Sequence, residues 1–247
     1  MVSIKAAIFD FIGTLTNLKK YSVKVSEMKL YRAVVNAGFR VDSEAFFKAY
    51  GQVHEKYRVI RYQKLIEVTN AVWVSEALTR LGFKTGPQDT HVKTAVNVFF
   101  QDYLNSLELR RCVKRILEKT AADHKIGLIS NFTHAPVIYA ALRRLDINEF
   151  FNAVLVSEEV GWRKPHVKIF EEALKRLGVS ACESVYVGDS PLEDIKGASL
   201  VGIKTVFVPS QFYTLENLCE SRQKPDMMVK DICELCEKLP RFINNIV

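Results

Sequence analysis

The stretch AAIFDFIGTLTN, from Ala6 to Asn17, decides the fold of this chain. A short apolar run ends at Asp10, and a turn at Gly13 and Thr14 follows directly. An apolar run of this length bounded by turn residues is typical of a buried strand. A carboxylate at the end of such a strand stands where parallel α/β sheets bind their ligands. Two residues later the chain has Ile12, which brings no side-chain group for proton transfer.

The bulk composition predicts a soluble globular protein without a membrane or nucleic-acid partner. The 247 residues are 48% apolar and 26% charged, with a net charge of +7. The longest apolar runs are under about ten residues, whereas a membrane-spanning helix needs about 20. No signal-peptide region precedes the first strand, so we expect a cytoplasmic location. Lysine and arginine are scattered among acidic residues rather than gathered in a block, which indicates a mixed, solvated surface and not a nucleic-acid site. The positive excess suits a small anionic substrate, and we expect a monomer or a homodimer.

The second half of the chain alternates strands with amphipathic helices. Five further segments are predicted as strands: KIGLIS, FNAVLVS, SVYVGD, KTVFV and DMMV. Together with KAAIFD at the N-terminus they predict an α/β fold, a doubly wound parallel sheet covered on both faces. The segment NSLELRRCVKRILEK is predicted to be helical from Leu107 onward.

A stretch of different character separates the first strand from this second half. Between Lys19 and Leu104 the pattern is helical throughout, with a possible break near Gly51. We therefore predict an α/β core domain formed by residues 1–18 and 106–247, and an inserted all-helical domain of residues 19–105.

Ionisable and hydroxyl side chains follow the predicted strands. Asp10, Ser130 and Asp189 each stand at a strand end, Asp194 follows five residues after Asp189, and Lys164 lies shortly beyond the strand FNAVLVS. Because the carboxyl ends of parallel strands share one edge, we expect these groups to converge. Clustered carboxylates repel one another unless a cation neutralises them, and oxygen ligands suit Mg²⁺. An aspartate in such a site is also able to act as a covalent nucleophile.

Four motifs in the order IFDFIGTLT, LISNFT, GWRKPHVKIF and VYVGDSPLEDIKGA resemble those of the haloacid dehalogenase-like (HAD) hydrolase superfamily. The resemblance implies a Rossmann-like core and a mobile helical cap. It also implies that Asp10 is the nucleophile, Ser130 the phosphate-binding hydroxyl, and Lys164 the group that holds both nucleophile and substrate. The substrate-binding set implied is Thr14, Ser130, Asn131 and Lys164. The Mg²⁺ set implied is Asp10, the Ile12 backbone carbonyl, Asp189 and Asp194, with Asp189 the more direct ligand.

Position 12 departs from the family pattern. Phosphatases of the family usually have a second aspartate there, which protonates the leaving oxygen and then activates water; Ile12 does neither. General acid–base help is worth about 10²–10⁴-fold. The leading hypothesis is therefore a slow, Mg²⁺-dependent hydrolase of small phosphorylated metabolites. A metal-free 2-haloacid dehalogenase and a catalytically retired scaffold that binds a ligand or protein are the alternatives.

Two further features have competing interpretations. The pair Cys233 and Cys236 forms a C-x-x-C within a helical tail, and we interpret the cysteines as structural, with a redox or metal role as the alternative. The five histidines are candidates for the missing acid–base group, and His134, three residues after Asn131, is the nearest to the site in sequence; the others are His54, His91, His124 and His166. Lysines of the insertion are a further possibility, because phosphonate-cleaving relatives use one from the cap: Lys19, Lys20, Lys24 and Lys48.

Overall fold

The computed structural model describes residues 3–244, which form a six-stranded parallel sheet with helices on both faces. The strands of this sheet are β1 (Ala6–Phe9), β4 (Lys125–Ser130), β5 (Ala153–Val156), β6 (Ser184–Gly188), β7 (Lys204–Phe207) and β8 (Met227–Met228). Their order across the sheet is β5-β4-β1-β6-β7-β8. All six correspond to predicted strands, and the α/β fold class is confirmed.

Strand β1 lies in the middle of the sheet and is buried on both faces. Its residue Phe9 is in register with Leu128 of β4 and with Val187 of β6. Asp10 therefore emerges between the ends of its two neighbouring strands, close to Ser130 and to Asp189. The parallel register is what brings residues distant in sequence to one edge of the sheet.

Eleven α-helices are described within residues 3–244, and the first four follow one another without an intervening strand. These four are α1 (Val23–Asn36), α2 (Ser43–Gln63), α3 (Asn70–Arg80) and α4 (Thr90–Ser106). The remaining helices are α5 (Val113–Ala121), α6 (Ala135–Arg144), α7 (Ser157–Val160), α8 (Val167–Leu177), α9 (Gly197–Leu200), α10 (Leu215–Ser221) and α11 (Leu235–Asn244). We refer to residues 19–105 as the helical insertion. Within the described range, no helix has both the length and the apolar character needed to cross a bilayer.

Two local predictions were wrong. Helix α5 does not extend back to Leu107, because β3 (Leu107–Leu109) pairs with β2 (Thr16–Leu18) in an antiparallel ribbon. This ribbon joins the two points at which the chain leaves and re-enters the core, and a contact between residues so far apart in sequence overrides local helix propensity. Helix α2 also runs through Gly51 without a break, since its packed face stabilises it there.

The two cysteines of the C-x-x-C motif, Cys233 and Cys236, are not paired with each other. Cys233 forms a disulfide with Cys112, at a Cα–Cα separation of 5.3 Å. Cys236 is a buried free thiol in α11, consistent with a structural role, whereas Cys182 and Cys219 are exposed. The disulfide ties the segment before the last helix to the start of α5.

Candidate active site

The side chain of Lys164 lies at the centre of the strand ends and joins two carboxylates. Its Nζ donates to Asp10 Oδ1 at 2.7 Å and to Asp194 Oδ1 at 2.6 Å. The same group contacts the Ile129 carbonyl oxygen at 3.2 Å and the Tyr186 hydroxyl at 3.0 Å. Lys164 is only 1% exposed, so protein oxygens rather than bulk water solvate its charge.

Asp194 is held in place through both of its carboxylate oxygens. Oδ1 accepts from Lys164 Nζ and from the Tyr186 hydroxyl, the latter at 3.0 Å. Oδ2 accepts from the backbone N–H groups of Asp189 at 3.1 Å and Ser190 at 2.9 Å. These bonds orient the ammonium group and the loop that carries Asp189.

Asp189 packs directly against the loop that follows β1. Its Oδ2 accepts a hydrogen bond from Ser210 Oγ at 2.6 Å. A Cβ atom on Gly13 would lie 2.1 Å from this oxygen, and Gly13 has a φ of +102°, so the position requires glycine. One carboxylate oxygen from each of Asp10, Asp189 and Asp194 lies within 4.8 Å of the others.

The electrostatics of this cluster favour a bound cation. Three buried carboxylates face one buried ammonium group. Burial raises the pKa of Asp10 to about 6; the Lys164 charge opposes this rise and the Asp194 charge adds to it. Burial and the charges of the two neighbouring carboxylates also hold the pKa of Asp189 well above its usual range. A cation would relieve this repulsion.

Two of the three carboxylates, those of Asp10 and Asp189, are better suited to bind Mg²⁺ than that of Asp194. Oδ2 of Asp10 is buried and has no hydrogen-bond partner among residues 3–244. Asp189 and Asp10 therefore offer the oxygen chemistry that Mg²⁺ prefers, whereas the oxygens of Asp194 already have partners. The backbone N–H groups of the loop after β1 donate to the carbonyl oxygens of Phe11 and Thr16. None of them donates to the carbonyl oxygen of Ile12. A metal bound here would lower the pKa values of the carboxylates.

The other predicted site residues have different surroundings. Ser130 and Ile12 line the cavity above Asp10. Asn131 also lines it, but its amide donates to the Lys164 carbonyl at 3.0 Å and accepts from the Lys164 N–H at 2.8 Å. Thr14 is fully buried and is not among the residues that line the cavity.

A cavity of about 660 Å³ separates the strand ends from the helical insertion. The insertion contributes an aromatic wall with a few polar groups: Tyr50, Trp73, Phe99, Phe100, Tyr103, Glu27, His54, Arg61 and Asn70. The indole Nε1 of Trp73 is buried and has no partner among the described residues, which makes it a donor for a ligand. No lysine from the described part of the insertion lines this cavity.

Sequence reasoning missed several residues that shape the site. Tyr186 lies in the middle of β6, and only the sheet register shows that its hydroxyl reaches Lys164. Ser210 follows β7, and its position at a strand end was a signal that would have identified it. Of the candidate histidines named from the sequence, His54 of the insertion lines the cavity, whereas His134 is not among the lining residues.

His134 instead connects the core to the helical insertion. Its ring stacks on Phe100 of α4 at a centroid distance of 5.0 Å, and its Nε2 lies 2.7 Å from Asn97 Oδ1. Burial lowers the pKa of His134 to about 4. Between about pH 4 and 6.5, the imidazole is therefore neutral in the folded protein and protonated in the unfolded chain.

This shift predicts a loss of stability in mild acid. Because the pKa of His134 is lower in the folded protein than in the unfolded chain, the neutral imidazole contributes to the stability of the fold above about pH 6.5. This contribution is lost as the pH falls towards 4. We expect the wild type to lose about 1 to 2 kcal/mol more than His134→Asn between these limits, after allowance for partial solvent access. Urea unfolding of both proteins at several pH values measures this, and equal losses would contradict it.

Comparisons with known proteins identify the family of this chain. The model of the haloacid dehalogenase-like hydrolase family matches residues 7–208. The chain belongs to this family, as the four motifs predicted, and it is a hydrolase. A glyceraldehyde 3-phosphate phosphatase of Methanothermobacter thermautotrophicus is 29% identical over 240 residues, covering 96% of this chain and 100% of the relative. That of Methanopyrus kandleri is 31% identical, covering 82% and 83% respectively.

A solved structure shows the same fold over nearly the whole chain. It is a 2-haloacid dehalogenase from Pseudomonas syringae pv. Tomato DC3000, with a TM-score of 0.69 and 24% identity. The alignment covers 97% of this chain and 99% of that one. At this identity the likeness concerns the fold and not the reaction.

Proposed function

We propose that this protein is a Mg²⁺-dependent phosphatase of small phosphorylated metabolites, with Asp10 as the nucleophile. The observation that carries the proposal is the cluster of three carboxylates within 4.8 Å around one lysine. Its unbalanced negative charge suits a metal ion and would repel a substrate phosphate in the metal's absence. The phosphatase relatives support the same substrate class.

The proposed reaction uses the carboxylate of Asp10. One of its oxygens attacks phosphorus as the bond to the ester oxygen breaks, and the leaving oxygen takes its proton from solvent, because Ile12 supplies none. Lys164 neutralises charge on the nucleophile, and Ser130 binds a phosphate oxygen. Water then hydrolyses the aspartyl phosphate. When bound, Mg²⁺ would be held by Asp10, the Ile12 carbonyl and Asp189 and would stabilise negative charge on the phosphate.

Asp194 and Asn131 act mainly by positioning other groups in this proposal. The two oxygens of Asp194 hold Lys164 and the backbone of the Asp189 loop. The amide of Asn131 holds the backbone of Lys164 on both sides. Neither side chain has to leave these partners for the reaction to proceed.

The helical insertion is proposed to act as a cap that selects the substrate. It covers the strand ends and supplies the aromatic wall of the cavity. Closure over a bound phosphate ester would exclude water from the reacting centre. The cavity volume of about 660 Å³ restricts the substrate to a small molecule.

A panel of phosphate esters, assayed with MgCl₂ and with excess EDTA, tests the proposal. We expect phosphate release from at least one small ester, with loss of activity on chelation and recovery when Mg²⁺ is restored. No phosphate release at high enzyme concentration, together with no Mg²⁺ binding by calorimetry, would overturn it. Chloride release from 2-chloropropionate in EDTA would instead identify the dehalogenase, which Ile12 favours because halide leaves without a proton.

A further inference from the structure

The connection between α2 and α3, residues 64–69, is bonded to the core loop that precedes the site lysine. The Glu67 N–H donates to the Gly161 carbonyl oxygen at 2.9 Å, and the Arg163 N–H donates to the Leu65 carbonyl oxygen at 3.0 Å. These bonds form a short antiparallel bridge. The insertion is thus attached to the core by backbone pairing as well as by side chains.

The side chain of Glu67 is fully buried at this contact. Its Oε1 accepts from Arg61 Nε at 2.6 Å. Its Oε2 accepts from Arg163 Nη1 at 3.2 Å and from Ser157 Oγ at 2.5 Å. Arg61 belongs to the insertion, whereas Arg163 and Ser157 belong to the core, so one carboxylate joins the two parts.

One branch of this network ends at the backbone of the site lysine. Arg163 Nη2 donates to Glu193 Oε1 at 3.1 Å. Glu193 Oε2 accepts from Asn131 Nδ2 at 2.9 Å. The Asn131 amide in turn bonds the N–H and the carbonyl of Lys164. Every step in this branch is a direct hydrogen bond between buried or half-buried groups.

The second branch ends at the loop that carries Ser130. Ser157 Oγ, which donates to Glu67, accepts from the Phe132 N–H at 2.9 Å. Phe132 lies two residues after Ser130 and lines the same cavity. Glu67 therefore stands where three segments meet: the insertion, the Lys164 loop and the Ser130 loop.

We propose that Glu67 is a positioning residue that fixes the closed insertion onto the loops carrying Lys164 and Ser130. The inference deepens the proposed function, since it assigns a role in that reaction to a residue outside the site. Two carboxylates and two guanidinium groups alternate along the network: Arg61 pairs with Glu67 within the insertion, Arg163 pairs with Glu193 within the core, and the Glu67–Arg163 ion pair joins the two parts only when the insertion is seated. When the insertion lifts, Glu67 leaves Arg163 and Ser157, and both loops lose a restraint.

A purely structural role would be served as well by apolar side chains. Replacement of a buried ion pair by well-packed apolar residues is often neutral or stabilising, so burial alone does not explain these charges. Hydrogen bonds, in contrast with apolar packing, fix the direction of their partners. A buried carboxylate with three directional side-chain donors is suited to setting the register of one segment on another.

The two tryptophans of the chain report on this contact. Trp162 is paired with Ile66 in the backbone bridge. Trp73 lies beneath the Arg61 guanidinium, whose carbon is 5.1 Å from the ring centroid. Lifting of the insertion would expose the indole of Trp73, which is buried and lines the cavity, and would remove the backbone bridge at Trp162. Acrylamide quenching of the fluorescence therefore measures the closed fraction without reference to any reaction.

Glu67→Gln keeps the size of the side chain and removes its charge. We expect the acrylamide quenching constant to rise about twofold and kcat on a phosphate ester to fall about fivefold, with less than a twofold change in KM. The matched control is Glu76→Gln, since Glu76 bonds Lys56, Tyr57 and Arg80, which all lie within the insertion. This control should change neither quenching nor the ratio of kcat to KM.

The kinetic assay and the quenching assay test the phosphatase function and the role of Glu67 separately. If the wild type hydrolyses no ester, the proposed phosphatase function fails, while the quenching comparison still tests the role of Glu67 in closure. Quenching in Glu67→Gln equal to that in Glu76→Gln would overturn the proposal, as would raised quenching with an unchanged kcat. If Glu67→Gln does not fold, Arg163→Lys replaces it, because lysine keeps the charge but does not bond both Glu67 and Glu193; the same outcomes apply.

Discussion

Asp10→Asn is expected to lower the rate of phosphate release by at least about 10³-fold, because an amide does not replace a carboxylate as nucleophile. Asparagine retains an oxygen that accepts from Lys164, so the hydrogen bond to Asp10 Oδ1 has an equivalent in the variant. The loss would therefore report chemistry rather than a collapsed site. Rates measured on the best ester of the panel, with MgCl₂ at saturation, give the comparison.

A surface variant and a trapping experiment complete this test. Asp146→Asn is the matched control, because Asp146 is an exposed carboxylate whose partner is Lys114. Acid quenching during turnover of a phosphorus-labelled ester should leave label on the wild-type protein and not on Asp10→Asn. More than about a tenth of the activity remaining in Asp10→Asn would rule out the proposed nucleophile. An intact biological role in the inactive variant would indicate a retired scaffold.

Ile12→Asp should raise the phosphatase rate by at least about tenfold, a modest part of the usual contribution of a general acid–base group. Ile12 lines the cavity and lies on the loop that carries Asp10, so a carboxyl group there emerges beside the nucleophile. The gain should be larger for alkyl phosphates than for an aryl phosphate, whose leaving group needs little protonation. Steady-state kinetics on one ester of each kind measure the difference.

Ile12→Asn separates the acid–base effect from a change of size or polarity. It should show no such gain, since an amide does not transfer a proton in this range. Polar substitution next to the apolar residues of the cavity carries a cost, which the asparagine variant shares. A folded, Mg²⁺-binding Ile12→Asp protein without any gain on alkyl phosphates would count against a phosphatase limited by the missing acid–base group.

Much of the site was predictable because its elements are defined locally. Short apolar runs between amphipathic helices indicated the six strands, and parallel strands necessarily share the edge at which they end. The approach of Asp10, Lys164 and Asp189 follows from that rule and from the motif order. The division of the chain at residues 18/19 and 105/106, and the role of each site residue, stay predictions.

By itself, the sequence determined the α/β class, the helical character of the insertion and the family, since these depend on periodicity and on motifs a few residues long. Only the tertiary structure decided the β2–β3 ribbon, the Cys112–Cys233 disulfide and the burial of Glu67 between two arginines. Each of these joins residues that are distant in sequence or lie on separate elements. Strand pairing, ion pairing and covalent cross-linking stabilise the fold only after these residues have been brought together, and no local sequence pattern records that.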